Sequence, residues 1–313
     1  MVYFNTIIPV AFHVICLVTG STGCLFILTV QFVDWMKTHK LVPVDVIIVS
    51  IGFINLLLQG SFAFNEICVL LFVEFLVQIW VVNPIVVIVT SLAFSSLWCS
   101  TTLCFYYYVK IINFNGTIFY KFKAKLPVII RWLLIFSNVI SWITALPAYW
   151  DIDRQDPFPT DNDTILPLTY HLNFKSKCDC MFHVYMVLSA MAFTIILFTA
   201  GTIIMSLHKH IIQLKKNNEG LSHTKLSAHI SAAKTVTSLL VLYLIFYATL
   251  NVIYTSTQDV GSIKFIVSSM VTSSFPTANS VILIFGNRKL SSTLMYVLGV
   301  NSVSGNTEIS VKT

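Results

Sequence analysis

The sequence predicts an all-α membrane protein, a seven-transmembrane-helix bundle with its N-terminus extracellular and its C-terminus cytoplasmic. Of the 313 residues, 56% are apolar and only 10% are charged, whereas an ordinary soluble domain has about 45–50% and about 25%. The apolar residues occur in blocks of roughly twenty or more, each long enough to cross a hydrocarbon core about 30 Å thick as a helix. The chain lacks the dense charge of nucleic-acid-binding proteins, so we expect no nucleic acid as a partner.

Seven uncharged stretches are long enough to be membrane spans. They lie at approximately 7–33, 43–65, 84–109, 127–149, 181–207, 230–255 and 264–286. The stretch 66–83 is also apolar, but Glu74 lies at its centre and Pro84 follows it, so we expect it to extend a neighbouring helix or form an outer loop. We therefore expect one helical domain, 1–298, followed by a short cytoplasmic tail, 299–313.

The distribution of basic residues predicts the orientation. Lys and Arg in short loops remain cytoplasmic. With the N-terminus outside, 15 of the 19 basic residues lie inside and nine of the 13 acidic residues lie outside. Asn162 is followed by Asp and Thr in the longest outer loop, so we expect it to be glycosylated. Asn115 has the same pattern on the cytoplasmic side, where it would remain unmodified.

Three cysteines lie near the outer ends of helices, where the compartment is oxidising. The sequence leaves open whether Cys68 pairs with Cys178 or Cys180.

The spans lack the groups that catalysis or ion transport needs at membrane depth. His13 and His183 are isolated from each other, and no metal-ligand cluster or nucleotide-binding motif is present in the sequence. We therefore expect no enzyme, no cofactor and no metal. A proton-coupled transporter or an ion channel would place acids or a polar filter near the midplane. The pattern favours a receptor that passes a conformational change to a cytosolic partner.

Five segments, most of them at the inner ends of the helices, form an ordered series of motifs. They are Asp34-Trp35-Met36-Lys37 with Val44-Asp45, Trp98 to Phe114, Ser206-Leu207-His208-Lys209-His210, Ala228-His229 to Tyr243, and Pro276 to Leu290. This series, over about residues 20–298, resembles the type 2 (bitter) taste receptor family of G-protein-coupled receptors.

Several positions depart from that family and indicate a divergent member. The family's asparagine, arginine, proline and histidine align on Cys24, Asn55, Ala192 and Asn279. Many members place a ligand-facing tryptophan and asparagine in the third helix, where this chain has Val89 and Ala93. The resemblance therefore implies a less polar pocket at the third helix.

The resemblance also implies function. It predicts a multi-pass receptor of the plasma membrane that binds small, largely apolar organic molecules from outside. It would activate a cytosolic heterotrimeric G protein with a gustducin-like, inhibitory-class α-subunit. Two alternatives remain at this point. A vomeronasal-type pheromone receptor has the same size and class, and a small-solute transporter is disfavoured by the missing midplane charges.

Two sets of residues follow as candidate sites. The outer halves of the third, sixth and seventh helices supply the predicted ligand contacts. They are Val89, Ala93, Phe246, Tyr247, Asn251, Ser269, Met270 and Ser273. The inner ends supply the predicted contacts with the G protein. They are Tyr107, Lys110, Ser206, Lys209, Lys215 and His229. The basic members of this second set also favour contact with membrane lipids.

Overall fold

Long uncharged runs become helices in a bilayer because each backbone N–H and C=O has to find its partner within its own segment. The computed structural model describes residues 2–71, 78–111, 117–155, 173–176, 179–217, 223–255 and 263–299. Seven long helices lie in these ranges. They are α1 (Val2–Thr38), α2 (Pro43–Leu71), α3 (Ile79–Ile111), α4 (Thr117–Ala145), α5 (Asp179–Asn217), α6 (His223–Thr255) and α7 (Ile263–Gly286).

Three short units join or follow these helices: a helical turn, a two-stranded sheet and a short helix. A single helical turn, Ala148–Asp151, leads into strand β1 (Ile152–Gln155), which pairs antiparallel with β2 (Asn173–Ser176). After α7, Asn287 caps the ten-residue helix α8 (Arg288–Val297) by accepting hydrogen bonds from the backbone N–H groups of Lys289 and Leu290. None of the three was predicted from hydropathy, because all are too short or too polar to resemble a membrane span.

The predicted class, an all-α membrane protein, is confirmed at the level of helix length and composition. Six helices, α1 to α6, are long and apolar enough to cross a membrane. Helix α7 is not among them, since it carries many Ser, Thr and Asn side chains. Seven spans and the orientation of the termini therefore remain predictions.

The ends of the helices differ from the predicted spans. Helix α4 begins at Thr117, ten residues before the predicted span, and ends at Ala145 rather than at 149. Its early start includes a lysine-rich turn that hydropathy excludes, and its early end precedes Leu146-Pro147, where proline disfavours a helical residue before it. The apolar stretch 66–83 extends both neighbours, as far as Leu71 in α2 and from Ile79 in α3. Residues 72–77 lie outside the described part.

The helices form a closed arrangement with α3 nearest its centre. Helix α1 packs against α2 and α7, α2 against α3, α5 against α3 and α6, and α6 against α7. Helix α4 lies on the outside of α3 and also contacts α2. The ring therefore closes between α7 and α1, so α7 is one of its members.

Large apolar side chains cover the outside of the bundle as well as its core. Trp132, Phe136, Phe198 and Met205 each have more than half of their surface exposed. A monomeric soluble protein rarely exposes contiguous apolar area on this scale. In a bilayer these side chains contact acyl chains. Polar side chains are unfavourable on that surface, so they are expected in the interior of the bundle.

Candidate functional site

A cavity of about 180 Å³ lies among α2, α3, α5, α6 and α7. Four of the predicted ligand residues line it. They are Val89, Ala93, Phe246 and Tyr247. We name this space cavity A. On α3 the wall consists of apolar side chains and one hydroxyl, that of Thr90.

Aromatic rings form the remaining walls of cavity A. Phe246 on α6 stacks on Phe275 of α7 with centroids 4.4 Å apart. Phe193 on α5 lies nearly parallel to Tyr247 at 6.4 Å, and Tyr243 lies 5.5 Å from Phe275. Such pairs add about 0.5–1.5 kcal/mol beyond the area that they bury. The cavity is therefore preformed and suits flat, apolar molecules.

Two of the hydroxyl groups that line cavity A already donate their protons within the protein. The Ser189 hydroxyl donates to the carbonyl of Tyr185 at 2.7 Å, and the Thr272 hydroxyl donates to the carbonyl of Ser268 at 2.8 Å. Both bonds lie within the residue's own helix. These two oxygens can therefore accept a hydrogen bond from a ligand without losing their present partner.

A buried polar network lies directly beside cavity A. The Ser96 hydroxyl on α3 donates to Asn55 Oδ1 on α2 at 2.7 Å, and Asn279 Nδ2 on α7 donates to Ser96 Oγ at 3.2 Å. The Tyr243 hydroxyl on α6 approaches the Ser96 carbonyl at 3.5 Å. All of these residues are at most 2% exposed. We name Asn55, Ser96, Asn279 and Tyr243 the polar network; it joins four helices.

Sequence reasoning missed the polar network as a unit. It identified Asn55 and Asn279 only as departures from a family pattern, and it interpreted Ser96 as a packing residue. The available signal was the presence of Asn55 and Asn279 within predicted membrane spans, because a buried amide requires a partner. Asn55 Nδ2 and Asn279 Oδ1 still have no protein partner in the structure.

Other predicted ligand residues lie elsewhere. Ser269 and Ser273 line a second cavity of about 330 Å³ between α1, α2 and α7, which we name cavity B. Met270 lines neither cavity. The side chain of Asn251, on α6, lies outside the described part of the chain. Phe62 and Thr272 line both cavities and separate them.

Cavity B contains an acid–histidine pair that the sequence did not predict. His13 Nδ1 on α1 contacts Glu66 Oε1 on α2, with 12% of the histidine and 26% of the glutamate side chain exposed. The sequence placed both residues near the outer ends of their helices. The sequence does not give the rotation of each helix about its axis. That rotation decides whether two side chains at the same depth in the bundle are in contact.

The predicted coupling residues lie at the other end of the bundle. Tyr107 is partly buried, with its ring 5.9 Å from that of Tyr106. Lys110 is exposed, and its ammonium lies 5.5 Å above the Tyr106 ring, a cation–π contact that orients it. Ser206 is partly buried near the predicted inner end of α5. The remaining three are on α5 and α6 with side chains outside the described part: Lys209, Lys215 and His229.

An ionic cluster joins α8 to α1 and α2 at this same end. Lys289 Nζ lies 2.7 Å from Asp34 Oδ2 and 3.8 Å from Asp45 Oδ2. It also donates to Gln31 Oε1 at 2.8 Å, while Gln31 Nε2 donates to Asp45 Oδ1 at 3.1 Å. Asp45 is 6% exposed, so its charge has lost most of its water and depends on these partners. The cluster holds α8 beside the C-terminal end of α1 and the N-terminal end of α2.

Two predicted modifications cannot be located in the structure. Asn162 and Cys178 lie outside the described residues, as does the side chain of Cys180. Cys68 is a free cysteine, buried against Val81 and Ile85.

Comparisons with known proteins identify one family. The family model described as taste receptor protein (TAS2R) matches residues 1–301. Taste receptor type 2 member 4 of Gorilla gorilla gorilla is 29% identical over 308 residues, which cover 95% of this chain and 97% of that protein. Taste receptor type 2 member 9 of Papio hamadryas is 28% identical and covers 90% of both chains. Taste receptor type 2 member 7 of Pongo pygmaeus is 25% identical over a match that covers 87% of this chain and 86% of that protein.

Proposed function

Because the chain belongs to the taste receptor protein (TAS2R) family, it is a multi-pass plasma-membrane receptor of the bitter-taste type, and we propose that its agonists bind in cavity A. The receptor binds small organic molecules and activates a cytosolic heterotrimeric G protein. Membership of this family also decides between the alternatives that the sequence left open, a vomeronasal receptor and a transporter.

One residue supports cavity A as the agonist site. Tyr243 lines cavity A, and its hydroxyl also reaches the polar network. An agonist that contacts the α6 and α7 rings therefore also contacts Tyr243. This side chain links α6 to Ser96 and to the other residues of the polar network. The ligand stabilises whichever of two bundle packings it fits better, and this difference in affinity shifts the population.

We also propose the topology that the sequence predicts. Helix α7 is the seventh span, since it lies between α1 and α6 and closes the ring. Its polar side chains face the interior, where Ser280 and Asn279 are fully buried, so its lower hydropathy reflects its position in the bundle. The excess of Lys and Arg in the inner loops supports an extracellular N-terminus.

The predicted coupling residues form the proposed contact with the G protein. Lys110, Lys209 and Lys215 place positive charge at the inner ends of α3 and α5. Such a surface attracts an acidic partner and orients its approach. The resemblance implies that this partner has a gustducin-like α-subunit of the inhibitory class.

The test of cavity A begins by finding an agonist. A panel of bitter compounds is screened by calcium release in cells that express the receptor with a promiscuous G protein. Ala93→Trp then introduces an indole into the 180 Å³ cavity, and we expect it to abolish the response to bulky agonists. Ala190→Trp on α5 is the control, since Ala190 lines neither cavity.

Surface expression is measured for both variants, because overpacking costs about 1–3 kcal/mol of stability. A normal dose–response curve for Ala93→Trp at normal surface level would contradict the proposal.

Coupling is tested separately by replacing Lys110, Lys209 and Lys215 together with glutamine. We expect signalling to fall several-fold while agonist binding and surface expression persist, because no outer residue changes. Salt and lipid screen exposed charges, so the three are replaced at once. Full G-protein coupling in the triple variant would contradict the proposed contact. These lysines would then act only in setting the orientation of the helices.

A further inference from the structure

Cavity B carries a second function that the proposed agonist site does not require. It is the larger of the two cavities, about 330 Å³, and it lies between α1, α2 and α7 at the end of the bundle that we propose to be extracellular. Among the residues described around it, His13 and Glu66 are the two ionisable ones, and the other lining side chains are apolar or neutral.

The carboxylate of Glu66 is poorly compensated in this position. Its contact is a histidine ring nitrogen, and the ring's other nitrogen, His13 Nε2, is buried without a partner. An imidazolium would leave a charged N–H unsatisfied there, whereas a neutral ring donating from Nδ1 leaves only an acceptor lone pair. Glu66 therefore has one partner among the described residues, a ring whose other nitrogen is unsatisfied, and a donor with several N–H groups would satisfy the carboxylate better than His13 does.

Three hydroxyl groups on α7 that line cavity B act as acceptors toward it. The Ser269 hydroxyl donates to the carbonyl of Ile266 at 2.8 Å, and the Ser273 hydroxyl donates to the carbonyl of Met270 at 3.0 Å. The Thr272 hydroxyl donates within α7 in the same way. With their protons used, these oxygens offer lone pairs to the cavity. A ligand that complements them must bring hydrogen-bond donors and positive charge.

We propose that cavity B is a binding site for compact organic cations, specifically protonated primary amines with an apolar body. The ammonium replaces His13 as the partner of Glu66, and its remaining N–H groups are directed to the seryl oxygens of α7. The apolar body packs on Val14, Leu17 and Phe62. Charge-assisted hydrogen bonds to a desolvated carboxylate are stronger than neutral ones, so the cation is preferred over a neutral molecule of the same shape.

An occupant of cavity B also contacts the wall of cavity A. Phe62 and Thr272 line both spaces. An amine in cavity B therefore changes the shape that cavity A offers to its own agonist, and the two ligands are coupled through these side chains.

Benzylamine is the probe, with benzyl alcohol as the neutral molecule of matched shape. Binding to the purified full-length receptor in nanodiscs is measured at neutral pH by ligand-observed NMR and by the concentration dependence of thermal stabilisation. We expect benzylamine to bind wild type at least tenfold more tightly than benzyl alcohol. Equal affinities would overturn the proposal without any variant having to fold.

Variants then assign the site. We expect Glu66→Gln, which keeps the shape of the side chain, to lower benzylamine affinity at least tenfold and Glu66→Asp to keep part of it. Ala93→Trp fills cavity A without changing any residue of cavity B, so benzylamine binding that persists in this variant, with no more than the modest shift that coupling through Phe62 and Thr272 allows, supports a separate site. Loss of benzylamine binding in Ala93→Trp, or full benzylamine affinity in Glu66→Gln, would overturn the proposal of an amine site in cavity B. Neither result affects the agonist screen, so failure here and failure of cavity A are distinguishable.

Discussion

A close approach of α6 and α7 leads to a prediction about Gly286, the last residue of α7. A Cβ atom added at Gly286 would lie 2.1 Å from Thr235 Oγ1, 2.8 Å from its Cγ2 and 3.0 Å from its Cβ. The Ser231 hydroxyl on α6 also donates to the Gly286 carbonyl at 2.9 Å. We therefore expect Gly286→Ala to separate the ends of these two helices.

The magnitude follows from the stiffness of the neighbour. Thr235 is β-branched and 2% exposed, and rotation about its χ1 angle moves the oxygen and methyl group but leaves Cβ in place. Overpacking of this kind costs about 1–3 kcal/mol, and weakening the Ser231 hydrogen bond adds about 1 kcal/mol. The higher helix propensity of alanine relative to glycine offsets at most about 1 kcal/mol of this destabilisation. The net destabilisation is about 1–3 kcal/mol.

Thermal unfolding of the purified receptor in detergent measures this effect. Gly201→Ala on α5 is the matched control, because nothing lies within 4 Å of a Cβ built there. Adding Thr235→Ala to Gly286→Ala removes two of the three clashing atoms, so we expect the double variant to be more stable than the sum of the single effects. Strict additivity, or a Gly286→Ala variant as stable as Gly201→Ala, would refute the steric reasoning.

Two further predictions concern the polar network and the topology. Ser96→Ala leaves buried amides of α2 and α7 without their shared partner and should lower stability by about 1–2 kcal/mol. Ser137→Ala should have little effect, since that hydroxyl bonds only within α4; equal melting temperatures for the two would argue against the network. Enzymatic deglycosylation should shift the gel mobility of wild type but not of Asn162→Gln. A glycan on Asn115 would contradict the predicted orientation of the N-terminus.

The class of the protein and its family could be predicted from sequence because both depend on local composition. Whether a segment partitions into a bilayer is a property of that segment, and the inner-end motifs are contiguous, so both were read correctly without knowledge of packing. The ends of the helices were less accurate. Helix α5 continues to Asn217, ten residues beyond the predicted span, because hydropathy detects the bilayer boundary and a helix can continue beyond it.

The tertiary structure decided which polar side chains meet. His13 and Glu66 are 53 residues apart, and Ser96 and Asn279 are 183 apart. A helix that is apolar on every side carries little periodic signal for its facing, so its rotation is set only when its neighbours pack around it. For that reason the predicted ligand residues divide between cavities A and B. The sequence determined that a few polar groups would enter the membrane, and the packing of the helices determined their partners.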